Sequence, residues 1–130
     1  MSGCVHIVIV NFRTADLVVE CLRSLATQVG DLGGGRVSVI DNASGDGSVP
    51  KLAHAIEREG WSSGAQVMPQ DCNGGFSFGN NAGIRSALAS TKHVDYVLLL
   101  NPDIIARPEA VKTLVDFMDV HPDVGIAGSL

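Results

Sequence analysis

Cysteine is scarce in this 130-residue chain: Cys4, Cys21 and Cys72 are the only three. An odd number with no C-x-x-C pair excludes a zinc knuckle and a disulfide framework, and fits a reducing, cytoplasmic setting. Long apolar runs are missing too. Val5–Val10 is short, contains His6 and lacks a basic flank, so it is neither a secretion signal nor a membrane span, which needs about 18 apolar residues. The inner face of a membrane stays open as a location. Basic residues are few, nine Lys and Arg against fourteen Asp and Glu for a net charge of −5. Nucleic acid is therefore not the expected partner, because a phosphate backbone calls for clustered cations. No G-x-G-x-x-G turn follows the first apolar run and no P-loop occurs anywhere, which argues against a dinucleotide fold and a nucleoside-triphosphatase.

What the chain does contain is a repeated change of period. With 45% apolar and 18% charged residues it can build a core, and its length is that of one domain. Val5–Asn11 reads as a buried strand. Thr14 or Asp16 caps a helix with a stripe of Leu17, Val18, Cys21, Leu22 and Leu25, ended by Gly30 and the Gly33–Gly35 triplet. Arg36–Asp41 is a second strand. Ser48 and Pro50 open a helix with Leu52, Ala53 and Ile56 inward. Ala65–Pro69 is a weak third strand, Gln70–Gly79 a polar loop, and Asn80–Ser90 a helix of small residues. Asp95–Leu100 is the strongest buried strand, Pro108–Met118 a helix, and Val124–Ala127 the start of a fifth strand. This order predicts an α/β fold: a Rossmann-like, mostly parallel sheet with helices on both faces. The chain stops at Gly128-Ser129-Leu130, just after a strand begins, so a truncated domain is expected.

Parallel strands end on one rim, and ligands bind there, at the point where strand order reverses. Each of the first four strands runs into a distinctive polar residue: Asn11, then Asp41 with Asn42, then Asn73, then Asn101 with Asp103. A strand order of 3-2-1-4 would put Asn11 near Asp103. Asn, Asp and Gly also make ordinary turns, but all four strand ends carry them. Asp103 stands two residues beyond an apolar strand, with Pro102 fixing the turn. One carboxylate suffices for Mg2+ or Mn2+ when a diphosphate supplies the remaining oxygens.

These residues resemble the N-terminal, nucleotide-binding part of a family 2 glycosyltransferase with the GT-A fold. The resemblance rests on Val8-Ile9-Val10-Asn11-Phe12, the Asp41-Asn42-Ala43-Ser44 turn, the stretch from Asn73-Gly74-Gly75 to Asn81-Ala82-Gly83, and Leu99-Leu100-Asn101-Pro102-Asp103. The last of these is similar to bacterial rhamnosyltransferase-like members. The resemblance implies that backbone around Val10, Asn11 and Phe12 lines the base and ribose pocket, and that Asp41 accepts from the pyrimidine N3–H. It implies that Asn73 and Gly75 approach the nucleotide. Gly79, Asn81 and Gly83 complete that motif at the start of a helix whose amides face phosphate. Asn101 and Asp103 match the family's D-x-D, with Asp103 as metal ligand; Asn101 replaces the first acid, which lowers the charge available to a cation. Asn80 stands where many relatives have Arg.

The implied activity is inverting transfer of a sugar from a UDP- or dTDP-linked donor to a saccharide or lipid-linked acceptor, assisted by Mg2+ or Mn2+. Residues 1–130 would be the donor-binding portion, the acceptor-binding part and the catalytic base lying beyond Leu130. A non-catalytic nucleotide-binding or regulatory α/β module is the alternative.

Overall fold

A computed structural model of the chain describes residues 3–90 and 92–129. Strands and helices alternate as β1 (Val5–Asn11), α1 (Ala15–Ala26), β2 (Val37–Asp41), α2 (Ser48–Arg58), β3 (Ala65–Pro69), α3 (Phe76–Ala89), β4 (Tyr96–Leu100) and α4 (Ala110–Val120). The four strands form one parallel sheet in the order β3-β2-β1-β4. The expected fold class, strand order and two helical faces are all present.

Alternation along β1 and β2 divides the core. Val5, Ile7, Ile9, Val37 and Val39 face one way and pack with Val18, Cys21, Leu22 and Leu25 of α1, Leu52 and Ile56 of α2, and Val111 and Val115 of α4. Val8, Val10 and Ile40 point to the other face, against α3. That contact is made by glycine. A Cβ on Gly83 would stand 2.5 Å from Val8 Cγ1, and one on Gly79 would stand 2.8 Å from Val10 Cγ1. The two glycines lie one helical turn apart, so they form a single seam along which backbone meets strand side chains.

Several expectations need correction. Leu17 is 47% exposed, because it sits about 100° around α1 from Val18, outside the buried stripe of that helix. On α2, Ala55 is buried and Ala53 is exposed. α3 begins at Phe76, four residues before the expected start, since Asn73 Oδ1 accepts from Gly75 N (2.9 Å) and a left-handed Gly75 turns the chain into the helix. α4 starts at Ala110 rather than Pro108. β4 is less buried than its sequence suggests: Leu99 is 44% exposed, because α3 packs over β1 and β2 and leaves the β4 edge open. Val124–Ala127 forms no strand. Gly125, Ile126 and Ala127 instead line an apolar cavity of about 410 Å3 beside Leu98 and Val115; strand propensity alone does not pair a segment. Leu130 lies outside the described residues.

His6 is 7% exposed, with Nε2 2.9 Å from Ser38 Oγ. Burial, and then the Arg36 charge, lower its pKa from the ordinary 6.5. As pH falls through that value the unfolded chain takes up a proton that the native ring still refuses. Stability should therefore decline from about pH 7 down to the native pKa and then level, with His6→Gln flattening the slope of urea midpoints against pH. At the glycine seam, Gly83→Ala should lower the urea midpoint, because overpacking costs about 1–3 kcal/mol against a helix-propensity gain of up to about 1 kcal/mol. Gly125→Ala, which meets nothing within 4 Å, serves as the control.

Candidate functional site

The carboxyl edge of the sheet is organised by one pair of residues in register. Asn11 closes β1 directly opposite Asp41, which closes β2, and Asn11 Nδ2 donates to Asp41 Oδ1 at 2.8 Å. Both are almost fully buried, at 0% and 2% exposure. A buried carboxylate requires donors, and the following turn supplies two more: Ser44 Oγ donates to Asp41 Oδ1 (2.6 Å) and Ser44 N to Oδ2 (3.1 Å). Asp followed three residues later by Ser is a sequence in which the carboxylate can cap its own turn.

The other end of Asn11 holds the loop after β1. Its Oδ1 accepts from Thr14 Oγ1 (2.8 Å) and Thr14 N (3.2 Å), just ahead of α1. Ser44 then ties the two loops together. Arg13 N donates to Ser44 Oγ (2.9 Å) and Arg13 Nε to the Ser44 carbonyl (3.0 Å). Arg13 and Ala43 both have left-handed backbones, φ 59° and 55°, a conformation that non-glycine residues occupy at a cost and that concentrates at functional sites. The Arg13 guanidinium lies over the Phe12 ring, 5.0 Å from its centroid.

A second buried cluster joins β2 to the start of α3. Asn42, 2% exposed, donates through Nδ2 to the Gly75 carbonyl (2.9 Å) and more weakly to Asn73 Oδ1 (3.4 Å). Asn42 Oδ1 and Asn80 Oδ1 are buried without a partner among the described residues. From the sequence, Asn42, Ser44 and Asn80 have no role beyond a place in a motif. Asp-x-x-Ser was the available signal for Ser44; nothing local marks Asn80, which only the helix phase turns inward.

The structure thus brings Asn11 and Asp41 together, and Asn73 with Gly75, on one edge. Val10 is buried beneath α3, and Phe12 is 41% exposed at the rim. Asn81 sits on the exposed side of α3 and joins neither cluster by a hydrogen bond among the described residues. Gly79 and Gly83 serve the helix–sheet seam.

Asn101 and Asp103 follow β4, the neighbour of β1, so they share the edge; no hydrogen bond links them to Asn11 or Asp41. Both are exposed, and the Asn101 carbonyl accepts from Ile104 N (3.2 Å). The segment then crosses α1, where Ala106 N donates to Ser24 Oγ (2.9 Å). Asp103 is close enough to Cys21 of α1 that its charge adds to burial in pushing that thiol up to about 11.

Among the described residues Asp103 makes no ion pair, and no group of three His, Cys, Asp or Glu side chains is placed to hold a cation. An exposed, unpaired, hard oxygen donor fits a Mg2+ or Mn2+ ion shared with a diphosphate and does not make a closed cage.

Comparison with known proteins agrees with this architecture. The family model described as Glycosyl transferase family 2 matches residues 6–130. Among solved structures, Staphylococcus aureus TarS residues 1–349 in complex with UDP-GlcNAc superposes with a TM-score of 0.72 at 21% identity, covering 92% of this chain and 32% of that one. The mannosyltransferase PcManGT from Pyrobaculum calidifontis, in complex with GDP-Man and Mn2+, gives 0.71 at 19%, covering 88% and 32%. The chain therefore spans about a third of the length of these neighbours, which share its fold. No curated protein sequence matches it.

Removing the Asp41 carboxylate strands the Asn11 Nδ2 and Ser44 N–H donors. Asp41→Ala should lose about 1–3 kcal/mol of stability in urea unfolding, the usual cost of a buried polar group left unpaired.

Proposed function

The chain belongs to glycosyl transferase family 2, and from that premise we propose that residues 1–130 are the donor-binding portion of an inverting glycosyltransferase. The donor is a UDP- or dTDP-linked sugar and the acceptor a saccharide or lipid-linked glycan. The observation that carries this reading is the pair of polar clusters on the carboxyl edge, one at Asn11–Asp41 and one at Asn42–Asn73–Gly75.

In the proposed complex the nucleoside lies over the Val10–Phe12 backbone. Asp41 Oδ2 holds only the Ser44 N–H, so it retains acceptor capacity for a base N3–H. Because Asp41 is 2% exposed, a base reaches it only when the 42–44 turn yields. Base binding and turn opening are therefore one event. Asn73 and the Gly75 backbone flank the diphosphate, and Asn101 hydrogen-bonds the ribose or sugar.

Asp103 would hold Mg2+ or Mn2+ jointly with the diphosphate, and that ion, when bound, supplies positive charge against the leaving group. Inversion requires a base on the face opposite the leaving group; we assign it to no residue of this chain. Support for the donor class comes from the UDP-GlcNAc and GDP-Man complexes of the structural neighbours. The three free cysteines support a reducing, cytoplasmic location, with the inner face of a membrane as the site for a lipid-linked acceptor. Among the described residues no helix is long and apolar enough to cross a membrane.

Calorimetric titration of the chain with UDP and dTDP, with and without Mn2+, tests the proposal. Binding should depend on the metal, and Asp103→Asn should weaken the metal-dependent part about tenfold or more, as expected for losing a charged ligand. No metal-dependent binding at millimolar nucleotide overturns it.

A further inference from the structure

The opposite end of the sheet carries a feature that the proposed donor site does not use. Near the amino-terminal ends of the strands lies a cavity of about 370 Å3, bounded among others by His6, Arg36, Gln66, Ser86, Ser90 and Lys92. Two of its side chains are permanent cations and none is an acid, in a chain whose net charge is −5. Asp95, a carboxylate at the same end, is already engaged with Cys4 N (2.7 Å) and His93 (3.0 Å).

The floor of the cavity is a hydrogen-bond relay. Gln66 Nε2 donates to Ser38 Oγ at 3.1 Å, and Ser38 Oγ lies 2.9 Å from His6 Nε2. Gln66 and His6 thus meet at one hydroxyl, which has one proton to donate and two lone pairs to accept with, so either ring nitrogen of His6 can carry the proton. His6 is 7% exposed, and the other ring nitrogen, Nδ1, makes no hydrogen bond among the described residues.

Lys92 is held over the cavity by backbone shape. Its side chain folds across Gly34, with Nζ in the space that a Cβ there would fill. That ammonium makes no hydrogen bond or ion pair among the described residues. Among the described residues the Arg36 side chain has one long contact, 3.5 Å, to the Ser62 carbonyl. The carboxyl end of α3 also borders the cavity, and its dipole opposes an anion by a few tenths to about 1 kcal/mol. Two cations outweigh that, because charge-assisted hydrogen bonds are about twice as strong as neutral ones.

We propose that this cavity is a second ligand site, distinct from the carboxyl-edge site, that takes the phosphate group of a small molecule between Arg36 and Lys92, beside the His6 ring. It stands independently of the donor-site reading, since it shares no residue with it.

The test is an NMR titration of the chain with inorganic phosphate, with sodium chloride at matched ionic strength as control. A parallel arm uses glycerol phosphate to separate a free from an esterified phosphate. The His6 ring and the Arg36 and Lys92 signals should shift and saturate together in one or both phosphate arms, while the Asn42 and Gly75 amides stay in place. Arg36→Gln with Lys92→Gln should weaken that binding about tenfold or more, since each removes a charged partner. Both side chains are exposed, so the fold should persist, and each single variant should give part of the loss. Equal shifts with chloride, non-saturating shifts in both phosphate arms, or undiminished binding in the double variant overturn the proposal.

Discussion

A single side-chain hydrogen bond, Asn11 Nδ2 to Asp41 Oδ1, sets the geometry of the carboxyl edge. It joins the last residues of the two central strands, both buried, where neither could remain without partners. Everything near it is arranged around that requirement. Asn11 uses its remaining oxygen to start α1, Asp41 folds its own turn through Ser44, and Arg13 crosses from one loop to the other. A parallel sheet leaves its loops free to vary; this network removes that freedom from two of them.

The glycine-rich motif acts differently from its sequence appearance. Gly75 makes the left-handed entry to α3, whereas Gly79 and Gly83 allow close approach to Val8, Val10 and Ile40. Packing and site construction therefore use the same short segment. Asn42 is the connection, since it holds Gly75 from beneath while its backbone N accepts its place in the sheet by donating to the Asn11 carbonyl (2.9 Å).

Much of the fold could be read from the residues because the four strands are short apolar runs that each end in a polar residue. Ala65–Pro69 matched to the residue. The misplacements have physical causes. The start of α3 was hidden because Gly79 looks like a breaker when it is a contact, and β4 was overrated because hydrophobicity cannot report that no helix covers its outer face. Val124–Ala127 has strand composition without a partner strand among the described residues. The strand-end rule placed Asn11, Asp41, Asn73 and Asp103 on the carboxyl edge of the sheet, but burial of Asn42 and Asn80 depends on helix phase and on the close glycine contact, neither of which has a local signature.

The seam beneath α3 has a mechanical consequence. Sliding that helix by one residue along its axis would drive Phe78 or Ile84 into the spaces now held open at Gly79 and Gly83, against Val10 and Val8. Its register is thereby locked, so α3 cannot adjust its position to suit differently sized ligands. Movement on this side of the edge is left to the turns around it, residues 42–44 and 70–75, pivoting about a helix that stays still.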